Sequence, residues 1–252
     1  MTLHPPLHLR CADTSLVLDL PDDRFPVVRH WGPDLGEVDG DDLADAARAG
    51  ATSPGTNTAW ITNDLPILPL AHLGWSARPA VALSRTDGTA FSPHPAVFTH
   101  EEDSEDTPAG TAHVVRSTGA DPVHDLTLGT EVRLEPAGLV RVRAWVRDDR
   151  PEGGDGAGGR GADLVVGELT PVLPVPDGAD ELLDTTGHHV LERRLVRTPF
   201  TPGARLRESW EGRPGHDAVT WLAAGPAGFG WRSGRVHGVH LAWSGNTRHL
   251  AL

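Results

Sequence analysis

The chain has no lysine and no tyrosine: all 22 of its basic residues are arginine. Without lysine a phosphate loop of the Walker type cannot be built, and the 29 glycines nowhere give a strand, a G-x-G-x-x-G turn and a helix in succession. The single cysteine, Cys11, excludes an internal disulfide and a cysteine-rich metal site, and it fits a reducing compartment. Lying in a strand pattern, it reads as a small buried hydrophobe. Positive charge is scarce. With a formal net charge of −13 and no run of arginines, a nucleic-acid partner is excluded, because phosphate neutralisation needs a positive surface. No apolar run reaches the roughly 18 residues of a membrane span. The N-terminal MTLHPPLHLR also lacks the basic start and the apolar stretch of about 7–15 residues that export requires. The expectation is a cytoplasmic chain with no membrane partner.

What is present points to strands. Twenty-nine glycines and 22 prolines spread over 252 residues punctuate many short segments, and 38% hydrophobic content is enough to bury a core. Residues 7–31 read as a meander. Asp41 can cap DDLADAARAG, a short helix with acids at its start, Arg48 near its end and Gly50 at the stop. Residues 51–79 are rich in proline and poor in period, which predicts a long structured loop carrying Trp60 and Trp75 as candidate binding residues. The acidic run His100–Asp106 reads as a solvated loop.

Leu139–Arg147 alternates most cleanly, with Val140, Val142, Ala144 and Val146 on one face and Arg141, Arg143, Trp145 and Arg147 on the other. A strand over 123–134 precedes it through Glu135–Gly138, predicting a hairpin. Residues 148–162 form a glycine-rich, flexible insertion rather than a domain linker, since the same strand class resumes after them. Strands are then expected at His188–Val196, Ala204–Trp210, Ala218–Ala224 and Arg235–Ser244. That spacing describes an all-β sandwich or barrel. The last of these strands ends on Trp243 at the turn Ser244-Gly245-Asn246.

The catalytic signatures are mostly missing. His188 and His189 are neighbours in a strand pattern, and His237 and His240 lie three apart, so each pair points to opposite faces and makes no ready metal site. Ser209 and Ser244 sit in no nucleophile elbow. No cofactor and no metal is expected.

Two blocks carry a resemblance. Gly187, Glu192, Arg193, Arg197, Pro199 and Phe200 recur in the order seen in the N-terminal domain of the glycoside hydrolase family 36 α-galactosidases. GVHLAWSGN, over Gly238–Asn246, resembles that family's strand ending in Trp-Ser-Gly-Asn. Residues 64–78 resemble a further family segment more loosely. The resemblance implies a large antiparallel β-sandwich of the supersandwich, galactose-mutarotase-like type, preceding a (β/α)8 barrel that holds the carboxylate pair of a retaining enzyme. The family's nucleophile lies in a Lys-Trp-Asp motif, which a chain without lysine does not contain. The expectation is therefore one sandwich domain over 1–252, without the catalytic barrel, truncated at its C-terminal end and left with an open sheet edge. Where many members carry Trp, this chain has His189. In oligomeric members that residue helps line a neighbouring subunit's sugar pocket, and an imidazole can still hydrogen-bond a hydroxyl while offering less stacking surface.

The sequence thus reads as the non-catalytic N-terminal portion of an α-galactosidase, inactive alone. Its partners would be α-galactoside sugars, a catalytic barrel and other copies in a homo-oligomer. His189, Trp60 and Trp75 are the candidate substrate contacts. Gly187, Glu192, Arg193, Arg197, Pro199, Trp243, Ser244, Gly245 and Asn246 form the structural motif. A free-standing carbohydrate-binding module and a sandwich without ligand are the alternatives.

Overall fold

Short apolar-polar alternations separated by turn residues become antiparallel strands in both halves of the described residues. The computed structural model describes residues 5–49, 64–74, 78–150, 162–216, 220–230 and 232–252. They fall into two compact units, Met1–Pro174 and Val175–Leu252.

Unit 1 opens with the expected meander, β1 (Leu7–Cys11), β2 (Thr14–Asp19) and β3 (Val27–Pro33). The expected helix follows as α1 (Gly40–Ala49), burying Leu43 and Ala47, four residues apart on one face. Its cap is Asp39 and not Asp41, because Asp39 Oδ1 accepts the Asp42 amide at 2.8 Å. After β4 (Val81–Arg85) come β5 (Val97–Thr107), β6 (Gly110–Asp121), β7 (Leu126–Leu134) and β8 (Val140–Asp148), which form one sheet in sequence order; β9 (Leu164–Leu169) returns to pair with β4.

The acidic run expected as a loop is instead the middle of β5. β5 is the edge strand of its sheet and is exposed on both faces over residues 101–104, so charge does not bar it from the sheet. Its carboxylates also meet arginines of the neighbouring strands: Arg116 reaches Asp103 at 3.1 Å and Glu105 at 2.5 Å, and Arg133 also holds Glu105. The β7–β8 hairpin stands as read, closed by Gly138 N–H to Glu135 O at 2.8 Å with Gly138 at φ +81°. Trp145 lies over Gly129, its partner across the strands. A Cβ on Gly129 would come within 2.0 Å of the indole.

Two apolar clusters hold unit 1. Leu9, Leu16, Leu18 and Val28 of the meander meet Val115, Val132 and Leu134, which makes a sandwich of the two sheets. Phe25, Leu68, Leu70, Val81 and Leu83 meet Leu126 and Leu128. Cys11 packs half-buried against the first of these, and burial pushes its thiol pKa up. At the strand ends, Arg85 is 6% exposed and grips both oxygens of Asp148, at 2.8 and 3.1 Å. Arg150 shares Asp148 and donates to Ala162 O at 2.7 Å, tying together the two ends of the glycine-rich stretch. Most of that stretch, residues 151–161, lies outside the described residues, so the flexible insertion expected there does too.

Unit 2 contains β10 (Glu181–His188), β11 (Leu191–Pro199), β12 (Arg205–Ser209), β13 (Trp221–Gly225), β14 (His237–His240) and β15 (Thr247–Ala251). The sheet order is β11-β10-β13-β14, with β12 and β15 forming a separate ribbon. Two expectations change here. His188–Val196 is not one strand, since β10 ends at His188 and the chain turns at His189-Val190 before β11. The strand expected over Arg235–Ser244 spans only His237–His240; Leu241 still donates to Thr220 O at 2.6 Å, and Trp243 then stands 63% exposed instead of entering a core. Among the described residues no helix is long and apolar enough to cross a membrane.

Candidate functional site

The tip of the β10–β11 hairpin gathers the residues singled out in the sequence. Gly187, at φ +151°, sits where the register shifts between Thr186 and His188. A Cβ there would lie 2.1 Å from Leu191 O, so only glycine fits. Val190 and Arg193 adopt φ +78° and +53°, the left-handed region that a β-branched residue avoids. Two bonds hold this strained turn: Val190 N–H donates to Glu192 Oε1 at 2.9 Å, and Arg193 N–H donates to His216 O at 3.2 Å.

Glu192 is the hub. Its Oε1 lies 3.7 Å from His189 Nδ1 and 3.9 Å from His216 Nδ1, and the two rings meet edge-on at 5.9 Å between centroids. The Val190 amide, then its own amide, then the nearby histidines hold the Glu192 pKa below the ordinary glutamate range. His188 Nδ1 donates to His189 O at 2.9 Å, which fixes that ring. His189 itself projects outward, its side chain 84% exposed. The tip therefore offers an imidazole donor and acceptor beside one carboxylate. A retaining pair needs two. Among the described residues no group of three or more His, Cys, Asp or Glu is arranged to hold a metal ion.

The other motif residues brace the surroundings. Arg197 donates to Glu181 Oε2 at 2.7 Å and to Phe229 O at 2.6 Å, and its guanidinium lies 4.3 Å from the centre of the Phe229 ring. Glu181 Oε2 also accepts Gly228 N–H at 3.1 Å, so Arg197 and Glu181 together pin the loop after β13. Pro199 ends β11 opposite Glu181. Asn246 Oδ1 accepts Gly212 N–H at 2.8 Å, joining the turn after β12 to the turn before β15 at one end of the ribbon. Gly245 lies under the Trp243 indole, where a Cβ would come within 2.6 Å of Nε1. Next to it, Ser244 begins the bend that leads into β15.

Trp60 and Trp75 lie outside the described residues. Residues 64–74 between them are anchored in unit 1: Ile67 and Leu68 are fully buried, and Asp64 pairs with Arg29 at 2.7 Å. A shallow cleft of about 270 Å³ lies elsewhere in unit 2, lined among others by Pro176, Asp177, Ala179, Pro226, Arg235 and His237; it does not include His189.

Sequence reasoning did not find His216, 24 residues from Glu192, nor the buried polar group formed by Asp184 with Arg205 and Arg207. For the second, the alternation Arg205-x-Arg207-x-Ser209 was a usable signal, because a face of charged and hydroxyl side chains needs acceptors opposite.

A family model described as the glycosyl hydrolase family 36 N-terminal domain matches residues 24–251. An α-galactosidase from Escherichia coli is 32% identical over 138 residues, covering 55% of this chain and 18% of that protein. The GH36 α-galactosidase AgaA from Geobacillus stearothermophilus superposes with a TM-score of 0.74 at 16% identity, over 97% of this chain and 35% of that one. A double variant of AgaA in complex with raffinose gives a TM-score of 0.74 at 17% identity, with the same coverage. At such identities the two structures speak for the fold alone. The chain spans about a third or less of the length of these relatives.

Proposed function

The chain belongs to the glycosyl hydrolase family 36 N-terminal domain family, and on that footing we propose that it is the non-catalytic β-sandwich portion of a retaining α-galactosidase. The observation that carries this reading is the family match over residues 24–251, which runs through both compact units. The same match supports treating the two units as halves of one N-terminal domain. The catalytic carboxylates would then belong to the barrel of the enzyme, and this chain would support that barrel and a homo-oligomer. Terminal α-galactosides are the substrate class, in keeping with the raffinose bound by the AgaA variant. A lone, half-buried thiol at Cys11 fits a cytoplasmic setting.

His189 is the proposed contact with a neighbouring subunit's sugar. It projects from the hairpin tip, and the carboxylate of Glu192 stands behind its Nδ1. In the full-length enzyme, His189→Ala should raise KM for an α-galactoside about threefold to tenfold, the loss of one hydrogen bond, with the melting temperature unchanged. An unaltered KM would remove His189 from the site.

A free-standing carbohydrate-binding module is the second reading, favoured by Trp210 and Trp243, which are 68% and 63% exposed. Two measurements on the purified chain separate the readings. Hydrolysis of an aryl α-galactoside should be undetectable, and clear turnover would overturn the non-catalytic assignment. Galactoside titration should show no saturation up to millimolar ligand, whereas binding in that range would favour the module.

A further inference from the structure

Val190 and Arg193 of the β10–β11 turn hold a positive φ that neither residue favours, so the turn needs support beyond its own backbone preferences. Part of that support arrives from the connection between β12 and β13, where His216 O accepts Arg193 N–H at 3.2 Å. The rest comes from within the turn, where Glu192 Oε1 accepts Val190 N–H at 2.9 Å.

The same two residues flank the His189 ring. Glu192 Oε1 lies 3.7 Å from its Nδ1, and the His216 ring meets it edge-on with 5.9 Å between centroids. Glu192 Oε1 is also 3.9 Å from His216 Nδ1. At these lengths the carboxylate acts on both rings as a charge and not as a hydrogen-bond acceptor. A side chain 84% exposed would otherwise turn freely about its torsions. Ordering such a side chain when a ligand binds has an entropic cost, and contacts already made in the free protein remove part of it.

We propose that Glu192 and His216 are positioning residues, holding the His189 imidazole in the orientation in which it meets a sugar hydroxyl. The proposal rests on the reading of His189 as a sugar contact. It adds that the contact is prepared beforehand, by a carboxylate of the same turn and by an imidazole from a separate connection, both acting through His189.

Two measurements test this, one on the purified chain and one on the full-length enzyme. In the chain, NMR relaxation of the His189 ring carbons should show an ordered ring. Order should drop in His216→Ala, and also in Glu192→Gln, which keeps an acceptor for the Val190 amide and removes the charge. A ring as mobile as an isolated surface side chain, or one equally ordered in both variants, would overturn the proposal whatever His189 does in the enzyme. In the enzyme, His216→Ala should raise KM for an α-galactoside about twofold to fivefold with kcat held, and should add nothing in the His189→Ala background. A KM raised by His189→Ala but untouched by His216→Ala, or effects that multiply in the double variant, would overturn the positioning role alone. A KM untouched by His189→Ala would instead overturn the reading on which it rests. If His216→Ala does not fold, Glu192→Gln takes its place in both measurements, with the same outcomes deciding.

Discussion

The two compact units solve the problem of holding strands together with different materials. Among the described residues, 23 buried apolar side chains lie in Met1–Pro174 and five in Val175–Leu252, although the second unit is close to a third of the chain. Of the exposed large hydrophobics, seven lie in the first unit and nine in the second. Charge divides as unevenly. Residues 1–174 carry 13 arginines and 27 acids, net −14, and residues 175–252 carry nine and eight, net +1, which together give −13. Unit 1 is an apolar sandwich under an acidic skin. Unit 2 puts Asp184, Thr185, Ser209 and Thr247 inside and leaves Val190, Leu195, Trp210 and Trp243 outside. The difference teaches that a strand pattern alone does not say what lies between the sheets.

The sharpest way to break this comparison is to cut into the core of unit 1. Leu128→Ala removes a fully buried side chain and should cost about 2–5 kcal/mol, read as a fall in the urea midpoint. By contrast, Leu206→Ala, 42% exposed in β12, should cost less than about 1 kcal/mol in the same measurement. Equal losses would mean that unit 2 rests on apolar burial after all. Gly187→Ala comes next. It brings a Cβ against Leu191 O and strains φ, and it should cost about 1–3 kcal/mol, with faster amide exchange confined to the β10–β11 hairpin. Exchange that quickens in β6 and β7 as well would contradict a local role.

Acid should distinguish the units by order of failure. Arg85 and then Arg150 hold the Asp148 pKa far below the ordinary aspartate value, so the stability they lend unit 1 is present above about pH 4 and is lost as the pH falls further. Unit 2, through His249, whose pKa burial and then His240 lower, starts to weaken already below about pH 6.5. Far-ultraviolet circular dichroism from pH 8 to 2 should show two steps in that order, with the lower step moved upward by Arg85→Gln. The smallest effect is on the acidic skin: Arg116→Ala, which opens the exposed pairs with Asp103 and Glu105, should lower the urea midpoint less than any change above, and even less in 1 M salt.

Much of this was legible in the sequence, for reasons that particular residues make plain. The β7–β8 hairpin was readable because one face of β8 is apolar and the other charged, and because Gly138 marks the turn. β5 was not, since an edge strand wet on both faces has no alternation to detect. The turn at His189-Val190 hid for another reason. It uses a valine with positive φ where a glycine would be looked for, and its support comes from Glu192 and from His216, distant in sequence. Gly187 and Glu192 were named from resemblance, and the structure adds a physical cause for each: a carbonyl that leaves no room for a Cβ, and a carboxylate that caps a strained amide. The polar interior of unit 2 escaped because Arg205 and Arg207 look like any solvent-facing arginines until Asp184 is placed opposite them.

Differential scanning calorimetry of the purified chain at pH 7.5 and at pH 5.5 tests the contrast between the units most directly. The account predicts a lower-temperature transition from unit 2 that moves down on acidification while the transition of unit 1 stays in place. A single transition that shifts as one, or a movement confined to the upper transition, would contradict it.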